Sequence, residues 1–251
     1  MIYFSQLSGI TAGKDLHLFK DAVIESIAID SRKALSSAGT VFFAIKGVRH
    51  DGHAYLSDLY ARGIRQFVIE QPQIDPADFS EANILLVNSA VDALQKIAAF
   101  HRQQFSYPVI GITGSNGKTI TKEWLYQMLS PDQIIVKNPG SYNSQVGVPL
   151  SVWQMQSHHQ LGLFEAGISK PGEMENLEKV ICPTIGILTN IGSAHSEGFQ
   201  SQEEKTDEKL KLFKNSSVLI YCADHTIIRK ALEKTSIKTF SWGMGSAADL
   251  K

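Results

Sequence analysis

The apolar positions of the first 88 residues occur in short runs separated by polar turns. Runs of this kind predict β-strands rather than long helices. One stretch between two of the runs, Ala54–Arg62, is helix-like in its pattern. The predicted strands are Val23–Ile29, Val41–Ile45, Gln66–Ile69 and Ile84–Val87. We therefore expect residues 1–88 to form a small α/β domain.

A helix that begins at Ser89 marks the boundary between two parts of the chain. Asp92 follows three residues later as the partner of a capping pair, and Val91 and Leu94 recur on one face. The helix is expected to end before Pro108, because proline disfavours helical geometry in the residue that precedes it.

Beyond Pro108, apolar strands alternate regularly with helices. The strands are predicted at Val109–Thr113, Ile134–Lys137, Leu161–Ala166, Thr184–Thr189, Val218–Cys222 and Thr239–Trp242. The helices are predicted at Lys118–Leu129, Val148–Met155, Gly172–Val180, Gln202–Lys214 and His225–Lys234, the first with Ile120, Trp124, Leu125 and Met128 on one face. This alternation is typical of a parallel sheet with helices on both faces. Residues 89–251 are therefore expected to form a second α/β domain around a mostly parallel, P-loop-type sheet.

A glycine-rich turn joins the first strand of this domain to its first helix and reads Gly111-Ile-Thr-Gly-Ser-Asn-Gly-Lys-Thr119. Phosphates bind to backbone N–H groups at the start of a helix, and glycines let the backbone come close. Lys118 is expected to bind the β- and γ-phosphates of ATP, and the Thr119 hydroxyl is expected to be a Mg²⁺ ligand. Ile112 stands where the strict P-loop pattern has glycine, which argues against a routine motor or GTPase loop. The predicted ATP-binding residues are Gly114, Ser115, Asn116, Gly117, Lys118 and Thr119.

Polar side chains follow the carboxyl ends of two later strands. Glu165 ends one strand, and His195 lies in the loop after the next. A carboxylate beside a phosphate-binding loop is where an α/β nucleotide site holds its metal ion. Taken alone, an acid or a histidine in such a place is more often solvated or hydrogen-bonded than a metal ligand. The pattern by itself leaves both alternatives open.

A strongly charged helix begins at Ser201, with Glu204 as its capping partner. Most of its charged residues predict a solvated face. Lys209 is the exception, since it stands next to Leu210 and one turn before Phe213, at the border of the inward face.

The composition adds few constraints on function. The formal net charge is −1 over 251 residues, so no overall field favours nucleic acid or an anionic membrane. No apolar run approaches the ~20 residues of a membrane-spanning helix, and the N-terminus lacks a signal-peptide pattern. Cys182 and Cys222 lie in apolar segments typical of buried free thiols in a reducing cytosol. We expect a cytoplasmic protein that binds no nucleic acid and inserts into no membrane.

The turn Thr113-Gly-Ser-Asn-Gly-Lys-Thr119 resembles the ATP loop of the Mur ligase family, which usually reads T-G-T-N-G-K-[TS]. Asp30-Ser-Arg32 and Asp51-Gly-His53 resemble the UDP-binding part of the same family. Ser141-Tyr-Asn143-Ser-Gln-Val-Gly-Val-Pro149 is similar to its asparagine-rich loop. The likeness covers nearly all of residues 24–222.

The resemblance implies roles for particular residues. In this family two Mg²⁺ ions neutralise the triphosphate and the incoming carboxylate, and Glu165 and His195 match the residues that hold the second ion. Lys209 matches a lysine that carries a carbamate, formed when a buried neutral amine binds CO₂. Lys205 takes that place if the register is shifted by one turn. The implied catalytic residues are Lys118, His195 and Lys209, the metal ligands are Thr119, Glu165, His195 and Lys209, and the substrate contacts are Ser31, Arg32, Asp51 and Asn143.

Two passages favour one branch of the family. Pro171-Gly-Glu-Met174 and the pair Ala194-His195 resemble the branch that adds D-alanyl-D-alanine to a UDP-N-acetylmuramoyl tripeptide. The resemblance implies an ATP-dependent amide-bond ligase of peptidoglycan precursor synthesis that works through an acyl phosphate. Family members have a third domain that brings the amine, which 251 residues do not contain. The chain is therefore expected to bind substrates without turnover, and separately we expect a monomer.

Several alternatives remain open at this point. A Mur ligase of the tripeptide-forming step shares the same ATP loop. A P-loop kinase or ATPase would transfer phosphate to a hydroxyl or to water, and a nucleotide-sugar-binding module would bind without catalysis. Lysine and diaminopimelate are both compatible with the tripeptide.

Overall fold

The structure, a computed structural model, describes residues 1–34, 37–48, 50–71, 74–192, 198–245 and 248–251. These residues divide into two compact units, Met1–Phe100 and His101–Lys251. Each unit is built around one sheet, of five strands in the first unit and six in the second. The predicted α/β class, with a parallel P-loop-type sheet in the second unit, is confirmed.

The sheet of the first unit is mixed. Its strands are β1 (Lys14–His17), β2 (Ser26–Ala28), β3 (Thr40–Phe43), β4 (Gln66–Ile69) and β5 (Asn83–Leu86). Their order is β1-β5-β4-β3-β2, and all are parallel except β1, which pairs antiparallel with β5 at one edge. The helices are α1 (Leu7–Thr11), α2 (Leu56–Ala61) and α3 (Ala90–Arg102), and 3-10 turns span Phe4–Gln6, Gly52–Tyr55 and Pro76–Phe79.

Side chains from the inner strands build the core of the first unit. Phe42, Phe67 and Ile84 lie opposite one another on β3, β4 and β5 and are buried together with Leu59 of α2. They share a face because neighbouring residues aligned across a sheet point the same way. Replacing a buried phenylalanine by alanine typically costs about 3–5 kcal/mol. These strands therefore form a firm platform for the loops at their ends.

The boundary helix α3 begins as the sequence predicts. The Asp92 backbone N–H donates to Ser89 Oγ at 3.2 Å, which caps the helix. Lys96 Nζ donates to the carbonyl oxygen of Thr11, so the helix is fastened to the first unit. The compact units accordingly divide after Phe100, near the end of the helix, whereas the sequence pattern places the boundary at its start.

The sheet of the second unit is parallel throughout. Its strands are β6 (Val109–Thr113), β7 (Ile135–Lys137), β8 (Leu161–Glu165), β9 (Ile185–Leu188), β10 (Val218–Cys222) and β11 (Thr239–Trp242), in the order β11-β10-β9-β6-β8-β7. Its helices are α4 (Lys118–Leu129), α5 (Gly147–Val152), α6 (Glu173–Ile181), α7 (Gln202–Leu210) and α8 (Thr226–Leu232). Each agrees with a predicted element, although the single helix predicted over 202–214 continues past Leu210 as a 3-10 turn, Lys211–Phe213.

The orientation of α4 differs from the prediction. Leu125 packs against the core between the helix and the sheet, but Ile120, Trp124 and Met128 are exposed, at 58%, 65% and 74%. Successive residues of a helix are turned by about 100°, so Trp124 lies about 100° and Ile120 about 140° around the helix from Leu125. Lys122 takes an inward position instead and is wholly buried. The prediction that these four apolar residues share one face is therefore wrong.

Two further differences lie at the surface of the units. The sequence pattern gives no element before Val23, yet α1 and the edge strand β1 are present; the strand is half-exposed and has too few apolar residues to show a pattern. Cys222 is buried as predicted, but Cys182 is exposed, so the prediction of two buried thiols is wrong for Cys182. None of the helices among the described residues is long and apolar enough to cross a membrane.

Candidate functional site

The strand order of the second unit reverses beside β6, which lies between β8 and β9. In parallel sheets, ligands bind in the crevice that such a reversal opens at the carboxyl ends of the strands. Glu165 at the end of β8 lies opposite Ile112 of β6, and Leu188 of β9 lies opposite Thr113. The glycine-rich turn and the carboxylate predicted to bind metal therefore meet at one edge of the sheet.

Two glycines set the path of the loop between β6 and α4. Gly114 has a φ of +148°, and a Cβ atom there would lie 1.9 Å from Thr189 Oγ1. Only glycine fits against that hydroxyl without a shift of the chain. Gly117 has a φ of +81° and is the N-cap residue of α4, a conformation that disfavours residues with a Cβ. Contact with the segment after β9 thus shapes the loop as much as its own sequence does.

The loop backbone is tied to Asn190. The Ser115 N–H donates to the Asn190 carbonyl oxygen at 2.8 Å, and the Asn116 N–H donates to Asn190 Oδ1 at 2.9 Å. These two N–H groups are therefore engaged within the chain. The first turn of α4, which begins at Lys118 and Thr119, has backbone N–H groups without acceptors inside the helix. That turn is the part of the loop best placed to bind phosphate oxygens.

Three lysine side chains converge on this loop. Lys118 Nζ and Lys209 Nζ both donate to the carbonyl oxygen of Gly114, at 2.9 and 3.2 Å. Lys205 Nζ donates to the carbonyl oxygen of Gly192 at 2.7 Å. All three lysines are buried. The structure thus brings both the predicted lysine and its sequence alternative to the site, and together they favour a bound anion.

Burial and mutual repulsion lower the pKa values of these lysines. The pKa of Lys209 falls to about 7, chiefly because of burial and then because of the charges on Lys118 and Lys205. Burial also lowers the pKa of Lys118, although the nearby Glu165 carboxylate acts in the opposite direction. Burial alone lowers the pKa of Lys205. Lys209 is therefore the lysine that most readily presents a neutral amine near pH 7.

Glu165 is wholly buried and keeps one carboxylate oxygen for a ligand. Oε1 accepts from Asn143 Nδ2 at 3.2 Å. Oε2 has no hydrogen-bond partner among the residues that the structure describes. A buried carboxylate oxygen is costly unless a donor or cation reaches it, and Mg²⁺ prefers oxygen ligands. Glu165 and the hydroxyl of Thr119, on neighbouring strand and helix ends, fit a magnesium ion bound with phosphates.

The predicted metal ligand His195 lies outside the described residues, which stop at Gly192 and resume at Gly198. Across the described part of the chain, no three His, Cys, Asp or Glu side chains are grouped so that they could hold a metal ion. The role of His195 therefore stays a prediction.

A cavity of about 300 Å³ opens beside the two lysines that share the Gly114 carbonyl. Lys118, Lys209 and Asn143 line it, together with Glu173. Glu173 Oε2 accepts from the Ser169 backbone N–H at 2.7 Å, which fixes the turn before α6. Three residues predicted from the sequence thus surround one space, where two ammonium groups favour an anionic ligand group.

The first unit has a cavity of its own, of about 440 Å³. The predicted residues Ser31 and Arg32 line it together with Tyr55. Arg32 Nε and Nη2 donate to the carboxylate of Asp30 at 2.9 and 2.8 Å, and this pairing lowers the pKa of Asp30 to about 2. The Arg32 side chain is 85% exposed, so guanidinium donors remain accessible for a phosphate.

Asp51 is engaged within the first unit. Its Oδ1 accepts from the His53 backbone N–H at 3.0 Å and lies 2.6 Å from His53 Nδ1, while Oδ2 accepts from Gln71 Nε2 at 2.9 Å. The hydrogen bonds from His53, first from its backbone and then from its ring, lower the pKa of Asp51. His53 Nε2 accepts from the Glu70 N–H, so a neutral His53 carries its proton on Nδ1 and donates it to Asp51. Residues on either side of Asp51 line the cavity, but Asp51 does not.

Three buried polar residues at the site were not found from the sequence. Lys122 and Asn138 are wholly buried, and Glu208 is 3% exposed. Glu208 Oε1 accepts from the backbone N–H groups of Gly172 and Met174 at 2.8 and 3.1 Å, and so joins α7 to the start of α6. The predicted solvated face of α7 is therefore wrong for Glu208, and also for Lys205. For Lys205 and Glu208 the sequence offered one signal: Lys205, Glu208 and Lys209 stand at i, i+3 and i+4, which places them on one face of the helix.

The glycine-rich loop, the start of α4 and the carboxyl edge of the sheet together have the geometry that α/β proteins use to bind nucleotide phosphates. Residues 112–251 match the family model described as the Mur ligase middle domain, and residues 23–102 match the model described as the Mur ligase family, catalytic domain. The chain belongs to the Mur ligase family. The resemblance predicted from its motifs is confirmed.

Curated relatives and solved structures agree with this membership. The UDP-N-acetylmuramoyl-tripeptide–D-alanyl-D-alanine ligase of Bacillus subtilis is 30% identical over 234 residues, which are 92% of this chain and 50% of that protein. The crystal structure of MurF from Acinetobacter baumannii is 29% identical, with a TM-score of 0.85 over 96% of this chain and 53% of that one. The MurF ligase of Thermotoga maritima, solved in complex with ADP, is 31% identical with a TM-score of 0.78 over 88% and 50%. The chain spans about half the length of the relatives it matches.

Proposed function

We propose that the protein acts in the ATP-dependent joining of D-alanyl-D-alanine to a UDP-N-acetylmuramoyl tripeptide, a step of peptidoglycan precursor synthesis. Relatives that carry this activity in their names align with most of the chain. The observation that carries the proposal is the meeting of the Lys118 and Lys209 side chains at the Gly114 carbonyl, beside the free oxygen of Glu165. This arrangement suits a triphosphate with its magnesium ion.

The proposed reaction has two steps. A carboxylate of the UDP-peptide attacks the γ-phosphorus of ATP, and ADP leaves. The amine of the dipeptide then attacks the carbonyl carbon of the acyl phosphate, phosphate leaves, and the nitrogen loses a proton as the amide forms. Negative charge develops on phosphoryl oxygens in the first step, where Lys118 and the N-terminus of α4 are placed to stabilise it.

Lys209 is proposed to carry a carbamate. With a pKa of about 7 its amine is substantially neutral near pH 7. Attack on CO₂ forms a C–N bond and releases one proton, which leaves an anion among cationic neighbours. Together with Glu165, Thr119 and His195, this anion would hold magnesium, with two ions in all. Magnesium supplies charge neutralisation for the phosphates.

The first unit is proposed to bind the UDP part of the substrate. Ser31 and Arg32 line its cavity, and Arg32 offers the charge that a diphosphate requires. Asp51 would act by holding the adjacent turn through His53. Asn143, which lines the cavity beside Lys118 and Lys209, would contact the reacting end of the substrate. The proposed setting is the cytoplasm, and the proposed working state is a monomer.

Nucleotide binding is tested on the 251-residue protein. Calorimetry with ATP and Mg²⁺ compares the wild type with Lys118→Ala and with Lys214→Ala, a half-exposed lysine paired with Glu178. Loss of a charged hydrogen-bond donor is expected to weaken binding about 10-fold to 100-fold for Lys118→Ala. The control should change affinity less than about twofold. Equal affinity in wild type and Lys118→Ala would overturn the assignment of the loop.

Ligation is tested in the gene product at its natural length, with each substrate omitted in turn. Sustained ADP release is expected only when the UDP-tripeptide and D-alanyl-D-alanine are both present, and the product gains the mass of the dipeptide less one water. Sustained phosphate release without the dipeptide would favour an ATPase instead, and transfer of phosphate to a hydroxyl would favour a P-loop kinase. Joining of lysine or diaminopimelate to a UDP-dipeptide would favour the tripeptide-forming step.

A further inference from the structure

One buried lysine of helix α4 donates hydrogen bonds to the loop that follows β7. Lys122 lies one turn after Lys118, and its side chain is wholly buried. Its Nζ donates to the carbonyl oxygens of Asn138 and Gly140 at 2.9 and 2.5 Å, and it lies 3.4 Å from Glu123 Oε1. Burying an ammonium group is costly unless acceptors surround it. The acceptors here are mainly two carbonyl oxygens of one loop, so the ammonium group of Lys122 stabilises the conformation of that loop.

Asn138 connects this loop to β8, the strand that ends in Glu165. Its Oδ1 accepts from the Glu165 backbone N–H at 2.6 Å, and its Nδ2 donates to the Tyr142 carbonyl oxygen at 2.7 Å. The residue is wholly buried. Its backbone is therefore held by Lys122, while its side chain joins the far end of the loop to the backbone of Glu165.

These contacts close a ring around the Glu165 carboxylate. Tyr142 is followed by Asn143, whose Nδ2 donates to Glu165 Oε1 at 3.2 Å and whose carbonyl oxygen accepts from the Gly167 N–H at 2.8 Å. The loop thus holds Glu165 from the backbone side through Asn138 and from the carboxylate side through Asn143. With Oε1 held in this way, the direction of the free oxygen Oε2 is set.

We propose that Lys122 and Asn138 are positioning residues that aim the free oxygen of Glu165 at the nucleotide-bound metal ion. Lys122 stands on the helix whose first turn carries Lys118 and Thr119, so one rigid element carries the phosphate contacts and the anchor of the carboxylate loop. Partners that orient a metal ligand commonly change metal affinity about 10-fold to 100-fold. This inference rests on the proposed function.

The test measures metal affinity and nucleotide affinity separately in the 251-residue protein. Mn²⁺ replaces Mg²⁺ because its binding can be followed by electron paramagnetic resonance, in the presence of ADP. Calorimetry gives the affinity for ADP without metal, and thermal unfolding reports the fold. The variants are Lys122→Met and Asn138→Ala. These two residues connect α4 to Glu165, and their variants are called the bridge variants.

Two controls match them. Lys137→Met removes a lysine that also pairs with Glu123 but donates to neither loop carbonyl, and Asn215→Ala removes an exposed asparagine whose side chain donates to Glu178. Each bridge variant is expected to weaken Mn²⁺ binding about tenfold or more, with ADP affinity in the absence of metal changed less than about twofold. Both controls should bind Mn²⁺ as the wild type does.

Unchanged Mn²⁺ affinity in a folded bridge variant would overturn the inference. Equal losses of Mn²⁺ and metal-free ADP binding would also overturn it, because they indicate a general disturbance of the unit. If both variants fail to fold, the residues serve stability rather than positioning. Absence of Mn²⁺–ADP binding by the wild type would instead count against the proposed function.

Discussion

Lys118 and Lys209 donate to one shared acceptor, the carbonyl oxygen of Gly114, although 91 residues separate them in the chain. A carbonyl oxygen offers two lone pairs but no full charge, so it leaves the repulsion between the two ammonium groups uncompensated. Burial, and after it this repulsion, lowers the pKa of Lys209 to about 7. The Lys209 amine is therefore the member of the pair that most readily loses its proton.

The stability of the protein should depend on pH through Lys209. Unfolded, its amine has a pKa of about 10.4, whereas in the fold the pKa is about 7. Between these values the unfolded chain holds more protons, so the stability rises with pH. The cost of burying the charged amine is fully present below pH 7 and is lost as the pH approaches 10.4. Lys209→Met is therefore expected to be more stable than the wild type at pH 6, on the order of a few kcal/mol, and similar at pH 10.

Urea unfolding across this pH range, in buffer free of CO₂, checks that expectation. Lys170→Met is the control, because Lys170 is exposed. A stability difference for Lys209→Met that does not shrink as the pH rises would contradict the buried, neutral amine.

Carbamate formation should be specific to one lysine. Protein equilibrated with ¹³C-bicarbonate at pH 8 is expected to show a carbamate signal by ¹³C NMR, because the Lys209 amine is then mostly deprotonated. Lys209→Arg should abolish the signal, since a guanidinium does not add CO₂, and Lys205→Arg should retain it. The reverse pattern would assign the carbamate to Lys205, one turn earlier on α7.

Glu208 should matter for stability although it lies on a charged helix. Glu208→Ala leaves the N–H groups of the exposed Gly172 and the buried Met174 without their acceptor, and an unsatisfied buried group costs about 1–3 kcal/mol. Glu203→Ala, on the exposed side of the same helix, should change the free energy of unfolding by less than about 0.5 kcal/mol. Denaturant titration of both variants measures the difference. Equal effects would mean that the contact to α6 contributes nothing beyond helix propensity.

UDP binding by the first unit should depend on Arg32. Arg32→Ala is expected to lower the affinity for UDP about 10-fold or more, because it removes charged donors from the cavity wall. Arg65→Ala is the control, since Arg65 stacks on Tyr60 and pairs with Glu81 instead. Calorimetry with UDP compares them. A loss confined to Arg65→Ala would place the nucleotide elsewhere on the unit.

Local sequence patterns were sufficient for the fold class and for the loop. The apolar run of β6, the glycines and the start of α4 are consecutive, and the elements of the second unit repeat this strand–helix order. The positions of Lys122, Asn138 and Glu208 were not predictable in the same way. Their partners are backbone groups of segments distant in sequence, which leave no periodic signal around the residue itself.

The same limit explains the error on α4. An apolar stripe at Ile120, Trp124 and Met128 indicates a buried face only if nothing else competes for the inward position. Lys122 competes successfully because the loop after β7 presents two carbonyl oxygens to it. Apolar content therefore identified the helix correctly but not the side that faces the sheet.

Gly114 has an implication for how such loops change over evolutionary time. Any side chain at this position would collide with Thr189 before it met a nucleotide. A descendant that no longer bound ATP would still be under pressure to keep this glycine, because its loss would disturb the strand edge itself. Lys118 is also buried, with its Nζ donating to the carbonyl oxygens of Gly114 and Ser115, but a smaller side chain there would create no steric clash. Retention of Gly114 alone would therefore indicate only common descent, whereas retention of Lys118 would indicate that the loop still binds a nucleotide.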